Sequence, residues 1–191
     1  MMLALALLLQ AVASSAAAAP SPIVVNERLD YYNVSGRDAA SLREALNQSG
    51  PIGADGKHYD GYTKWNLSWS YDYRRDGNGS CTLTTRRIAV DAHMTLPQWQ
   101  PGPDTPDSLQ HRWTQYLQAL RTHEEGHVEI GRTVARALDA LMQRMPTQPD
   151  CPTLDRELQA RGKQILQDHS RDDTDYDQRT RHGQTQGAVF P

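Results

Sequence analysis

From Asp107 to Met145 apolar residues recur almost every third or fourth position: Leu109, Trp113, Tyr116, Leu117, Leu120, Ile130, Val134, Leu138, Leu141 and Met145. That period predicts one long amphipathic helix whose stripe must be covered by other elements. Pro146 ends it, because proline cannot donate the next helical hydrogen bond. Thr105, Asp107 or Ser108 is placed to cap its start. Two positions on the stripe are not apolar, and these are His123 and His127.

The cover for that helix is legible upstream. Over residues 62–73, Trp65, Leu67, Trp69, Tyr71 and Tyr73 alternate with Asn66, Ser68, Ser70 and Asp72. A period of two with one aromatic face predicts a half-buried antiparallel strand. Asp76–Gly77–Asn78–Gly79 reads as a hairpin turn. The return strand spans 81–96, with a change of apolar phase between Leu83 and Ile88 that places a bulge near Thr84–Arg87. The aromatic stack suits one wall of a core better than a sugar-binding platform. Residues 22–34 read as extended, residues 38–47 as a short helix, and Thr153–Asp168 as a second long helix with Leu154, Leu158, Ile165 and Leu166 on its apolar side.

Residues 1–19 form an apolar run that ends in Ala17–Ala18–Ala19 before Pro20, which fits a signal peptide cleaved near Ala19. The expected organisation is therefore a signal at 1–19 and a single domain over 20–191, periplasmic or secreted, with no stable membrane insertion after cleavage. In such a compartment Cys81 and Cys151 are most simply one disulfide. The four Asn-x-Ser sequons, at Asn33, Asn47, Asn66 and Asn78, carry no functional weight. With 20 Lys and Arg against 23 Asp and Glu, the chain lacks the concentrated basic surface that nucleic acid requires.

The chemistry sits at His123–Glu124–Glu125–Gly126–His127, an HExxH sequence. Residues four apart on a helix lie on the same face, so both imidazoles can reach one Zn²⁺. Glu124 is turned about 100° from the first ligand. It is placed to take a proton from water and return it to a leaving amine. Two core-facing imidazoles are costly unless something satisfies them. Gly126 and Gly131 weaken the helix by about 1 kcal/mol each relative to alanine, a cost that close approach of substrate backbone or of the sheet would explain.

A catalytic zinc takes three protein ligands and a water. Candidates for the third lie in the polar 169–191 segment: His182, His169, Asp172, Asp173, Asp175 and Asp177. Composition alone makes this segment a disordered tail, whereas so many ligand types suggest that it folds onto a metal. His58, His93 and His111 are weaker candidates.

YYNVSG at 31–36, DGYTKWNLSW at 60–69, THEEGHVEIG at 122–131 and YDQRTRHGQTQGA at 176–188 together resemble a bacterial family described as predicted secreted Zn-dependent proteases, a domain of unknown function (922). The resemblance implies a zincin-like metallopeptidase with zinc on His123 and His127 and Glu124 as base. It also implies that Tyr176, Asp177 and His182 belong to the site.

The combined expectation is an α+β, zincin-like domain in which a small antiparallel sheet packs on the long HExxH helix and a second C-terminal helix. His123, His127 and His182 would hold Zn²⁺, Glu124 would be the general base, and Tyr176 would donate to the oxyanion. The substrate would be a peptide or protein. The alternatives are a non-catalytic, metal-stabilised binding module and a zinc amidase acting on cell-wall peptides.

Overall fold

The hairpin is the organising element of the sheet. In the computed structural model, which describes residues 22–190 apart from residue 54, β2 (Tyr62–Arg75) pairs antiparallel with β3 (Cys81–Trp99). The register runs from Tyr62↔Thr95 to Asp72↔Thr85 and then jumps to Tyr73↔Leu83. Thr84 is thus the extra residue of a bulge, where the change of apolar phase predicted one. The signal-peptide reading of residues 1–19 lies outside the described residues.

The third strand corrects the expectation of an antiparallel sheet. β1 (Ile23–Val34) runs parallel to β3, from Ile23↔Ile88 to Val34↔Trp99, so the sheet is mixed, in the order β1-β3-β2. An antiparallel pair announces itself through a short turn between its strands. A parallel pair leaves no such mark, because its connection is long. Here that connection is α1 (Ala39–Ser49), a loop and β2. β3 also continues past Leu96 through Pro97 to Trp99. Its pairing with β2 starts only at Thr95, so Pro97 faces an open edge and removes no ladder hydrogen bond on that side.

The long helix, α2, spans Asp107–Gln143. Pro106 occupies the cap position and no side chain caps it, contrary to the expectation for Thr105, Asp107 or Ser108. Asp107 in the first turn instead complements the helix dipole. The stripe of α2 buries against the alternating inner face of β3, namely Ile88, Val90, Ala92, Met94 and Leu96. One cluster joins Leu109, Trp113, Tyr116 and Leu120 to Met94, Leu96, Trp99 and the α1 residues Leu42 and Leu46. A second joins Ala135, Leu138 and Met142 to Ile88, Val90 and Leu158, with Trp65, Leu67, Trp69 and Tyr71 packed against it. The aromatic face of β2 is therefore a core wall. The turn that carries His123, Glu124 and His127 interrupts the apolar stripe.

α3 (Cys151–Asp168) starts at Asp150, whose carboxylate accepts the Thr153 N–H at 2.7 Å. Cys81 and Cys151 form a disulfide with their Cα atoms 5.0 Å apart. It ties the start of β3 to the α2–α3 connection and closes a loop with a sequence separation of 70. Constraining the unfolded chain to that extent stabilises the fold by about 4 kcal/mol. The polar C-terminal segment folds into α4 (Asp172–Thr180) and a 3₁₀ turn, Gln184–Gln186, and then buries Ala188 and Phe190. Among the described residues, no helix is long and apolar enough to cross a membrane.

Candidate metal centre

The two imidazoles on α2 lie with ring centroids 5.1 Å apart at 83°, and both are buried. Their Nε2 atoms converge on a single oxygen from α4, with Asp177 Oδ1 3.1 Å from His123 Nε2 and 3.3 Å from His127 Nε2. Donors about 2.0–2.1 Å from a tetrahedral ion are separated by about 3.3 Å, so these two spacings suit a shared ion as well as N–H···O hydrogen bonds. One donor atom from each of the three residues lies within 4.8 Å of the others. His123, His127 and Asp177 could therefore hold a metal ion. Among the described residues they are the one group of three or more His, Cys, Asp or Glu that is drawn together in this way.

The charges agree with the geometry. Burial pushes the Asp177 carboxyl up, but hydrogen bonds from both imidazoles win and hold it well below the usual carboxylate range. Burial disfavours the charged form of His127, yet its hydrogen bonds to Asp173 and Asp177 outweigh this and push it up to about 9. The outer nitrogen of each imidazole is also engaged. His127 Nδ1 lies 2.7 Å from Asp173 Oδ1 and His123 Nδ1 lies 3.0 Å from Gln186 Oε1. Asp173 is itself fixed by the Trp65 indole, whose Nε1–H donates to Oδ2 at 3.0 Å.

Glu124 stands beside this group without joining it. It is 3% exposed, and its Oε2 has no hydrogen-bond partner. Burial pushes its carboxyl up from the ordinary value, with the Thr63 hydroxyl and the two imidazoles acting the other way. Its other oxygen touches the chain just before β2, where a Cβ on Gly61 would sit 2.7 Å from Glu124 Oε1. A clamp drawn from three elements fixes that approach. The carboxylate of Asp60 takes two hydrogen bonds from Arg43 of α1 and one from the Tyr116 hydroxyl of α2 at 2.8 Å, while the Tyr32 hydroxyl of β1 donates to the Asp60 carbonyl at 2.8 Å. A cleft of about 1010 Å³ opens over the group, with Tyr59, Tyr62, Lys64, Trp65, Gln178 and Val189 among its walls.

Asp177, one of the aspartates left open by the sequence, thus occupies the place expected for His182. His182 is half exposed and outside the donor group, with Nδ1 3.4 Å from Asp177 Oδ1 and its ring 5.2 Å from that of Tyr59. Tyr176, expected to donate to the oxyanion, lies against His123. Its ring stacks on His123 at 5.0 Å and 10°, and its hydroxyl donates to the His123 backbone carbonyl at 3.2 Å. It is not among the residues lining the cleft. Gly126 is explained by this ring, since a Cβ there would meet Tyr176 Oη at 2.1 Å, whereas Gly131 admits Trp65 and Val90 of the sheet.

The remaining candidates are engaged elsewhere. Asp172 pairs with His169 at 2.6 Å, His93 with Asp30 at 2.8 Å, and His58 Nδ1 with the Gly50 carbonyl at 2.7 Å. Asp175 and His111 are exposed. Sequence reasoning missed Arg43 and Gln186 and gave no role to Asp60 or Gly61, although DGYTKWNLSW contains the last two.

The family described as "Bacterial protein of unknown function (DUF922)" matches residues 29–183. The chain belongs to this family. No curated protein and no solved structure matches it. In this DUF922 protein the matched span includes the whole of β2, α2 and α4, and with them the Asp60 clamp, Glu124 and all three donors.

Proposed function

We propose that this DUF922 protein is a zincin-like metallopeptidase that works outside the cytoplasm, in a periplasm or after secretion. One observation carries the reading. A buried carboxylate with an unbonded oxygen, that of Glu124, lies next to a His-His-Asp donor set at the foot of an open cleft. A purely structural metal site has no use for such a group, which argues against a non-catalytic binding module. Two imidazoles and a carboxylate drawn within 4.8 Å of one another suit Zn²⁺. When bound there, the ion supplies Lewis acidity toward water and a carbonyl oxygen.

The chain's own residues do the rest. Glu124 takes a proton as water oxygen bonds to the scissile carbonyl carbon. It then delivers that proton to the amide nitrogen as the C–N bond breaks. The Asp60 clamp, acting through Gly61, keeps that carboxylate aimed. Among the described residues β2 has β3 as its one neighbour in the sheet, and its segment Tyr62–Trp65 lines the cleft. An extended peptide could add to that open edge through main-chain hydrogen bonds. The Cys81–Cys151 disulfide favours an oxidising compartment.

The test is Glu124→Gln in the zinc-loaded protein, assayed in parallel on casein and on purified peptidoglycan. The variant is expected to keep stoichiometric zinc and to lose about 10²–10⁴-fold in turnover. A fully active variant removes Glu124 from the role of base. Cleavage of peptidoglycan alone would turn the reading toward a cell-wall amidase.

A further inference from the structure

His123 and His127 have different neighbours behind them. His127 Nδ1 faces a carboxylate, that of Asp173, which can only accept. His123 Nδ1 faces the side-chain amide of Gln186 at 3.0 Å. An amide presents either an acceptor or a donor depending on which way it is turned, so something must fix its polarity.

The neighbouring hydrogen bonds supply that polarity step by step. The backbone carbonyl of His123 can only accept, so the Tyr176 hydroxyl, 3.2 Å away, donates to it. With its proton committed, Tyr176 Oη accepts from the Gln186 amide, whose Nε2 lies 3.1 Å away while its Oε1 is 3.4 Å away. The nitrogen of Gln186 therefore turns to Tyr176 and its oxygen turns to His123. Thr180 points the same way. Its hydroxyl donates to the Tyr176 carbonyl at 2.8 Å, leaving its oxygen as an acceptor 3.4 Å from His123 Nδ1. Both polar neighbours of that nitrogen are acceptors, so the proton belongs on Nδ1, and when an ion replaces the Nε2–H that faces Asp177 Oδ1 the Nε2 lone pair is the one available to it.

We propose that Gln186, held by Tyr176, is the positioning residue for His123, and that the C-terminal turn at 184–186 is thereby a working part of the metal centre. The inference rests on the metal-binding part of the reading above and is independent of the hydrolysis.

The experiment measures the zinc affinity of the full chain by competition with a chelator, alongside the Nδ1–H resonance of His123 in the zinc-loaded protein. Gln186→Leu keeps the side-chain size and removes the acceptor. It is expected to weaken zinc binding by about 10-fold, at the low end of the range for losing an outer partner because Gln186 faces solvent. The Nδ1–H of His123 should then exchange faster with water. Gln186→Glu restores an acceptor and should bind zinc at least as tightly as the parent, an outcome that loss of packing would not produce. Tyr176→Phe leaves the amide free to turn and should give a smaller loss than Gln186→Leu. Equal melting temperatures of the metal-free proteins exclude unfolding as the cause. Zinc affinity of Gln186→Leu within twofold of the parent overturns the proposal, as does Gln186→Glu being as weak as Gln186→Leu. A parent protein that takes up no zinc sinks the metal centre itself, which is a different result.

Discussion

Helix α2 and the closing segment 169–190 contribute to the same centre in opposite ways. The helix is specified locally: its stripe repeats at helical spacing and buries thirteen of its residues, from Leu109 to Met142. It would be helical with or without a metal. α4 buries one residue of its own, Thr180, and starts at Arg171 with no side-chain cap. Nine residues with one buried side chain fall far short of an independently stable helix. What holds the segment is the site, through Asp177 and Asp173 on the two imidazoles and Tyr176 on His123 and Gly126, together with Phe190 packed in the core against Trp113 and Tyr116. The donors carried by α2 are thus set by the helix, whereas the third donor is set by a fold that exists through its contacts with the first two.

The change expected to have the largest effect breaks that comparison at its hinge. Asp177→Ala removes the one oxygen on which both Nε2 atoms converge. Zinc affinity should fall well beyond the 10–100-fold that accompanies loss of an outer hydrogen-bond partner. Amide exchange should rise across residues 172–186 and stay unchanged along the middle of α2. Competition titration and hydrogen exchange on the same protein check both parts. If α4 stays as protected as α2, the segment is not held by the site and the contrast fails.

The same contrast marks what could be read from sequence. Helical period, strand alternation and hairpin turn are local signals, and they placed α2, β2, β3, the bulge at Thr84 and the His123–Glu124–His127 face. The direction of β1 was not legible, because a parallel neighbour leaves no turn in the sequence. The choice among the downstream ligands was not legible either. His182 is the better zinc ligand by type, but the chain turns sharply after Thr180, where Arg181 and His182 both take a positive φ of 51°. Such backbone is uncommon for residues other than glycine, and it leaves the imidazole of His182 facing Tyr59 while Asp177, one α4 turn behind Arg181, points inward. Gln186 and the Asp60 clamp were missed for a related reason, since partners 63 residues apart, as Gln186 and His123 are, or 17, 28 and 56 apart, as Asp60 is from Arg43, Tyr32 and Tyr116, carry no periodic signal.

A smaller effect tests how tightly the two regions are fitted. Alanine favours a helix interior over glycine by about 1 kcal/mol, so Gly126→Ala would stabilise α2 in isolation. In the folded protein the new methyl would lie 2.1 Å from Tyr176 Oη and 2.4 Å from its Cζ, and overpacking of that kind costs about 1–3 kcal/mol. The substitution is expected to lower the melting temperature in the parent and to be neutral or stabilising in a Tyr176→Ala background. A double-mutant cycle reads the difference as a coupling between the residues. If Gly126→Ala costs the same in both backgrounds, Tyr176 is not what requires the glycine.

The smallest effect on metal binding is expected at His182, and its smallness is informative. The imidazole is half exposed, and its one contact with the donor set is Nδ1 to Asp177 Oδ1 at 3.4 Å, at the outer limit for a hydrogen bond. Water can replace a contact of that kind at an exposed position, so His182→Ala should change zinc affinity by no more than about 3-fold, roughly the 0.5–1 kcal/mol of an exposed interaction. The comparison to make is with Asp177→Ala under the same conditions. Zinc lost to a similar degree in both would mean that His182 binds the ion and that α4 shifts on loading to bring it in. Zinc kept in His182→Ala and lost in Asp177→Ala fixes the third donor as the carboxylate and leaves His182 free in the cleft beside Tyr59, where a substrate rather than the metal would meet it.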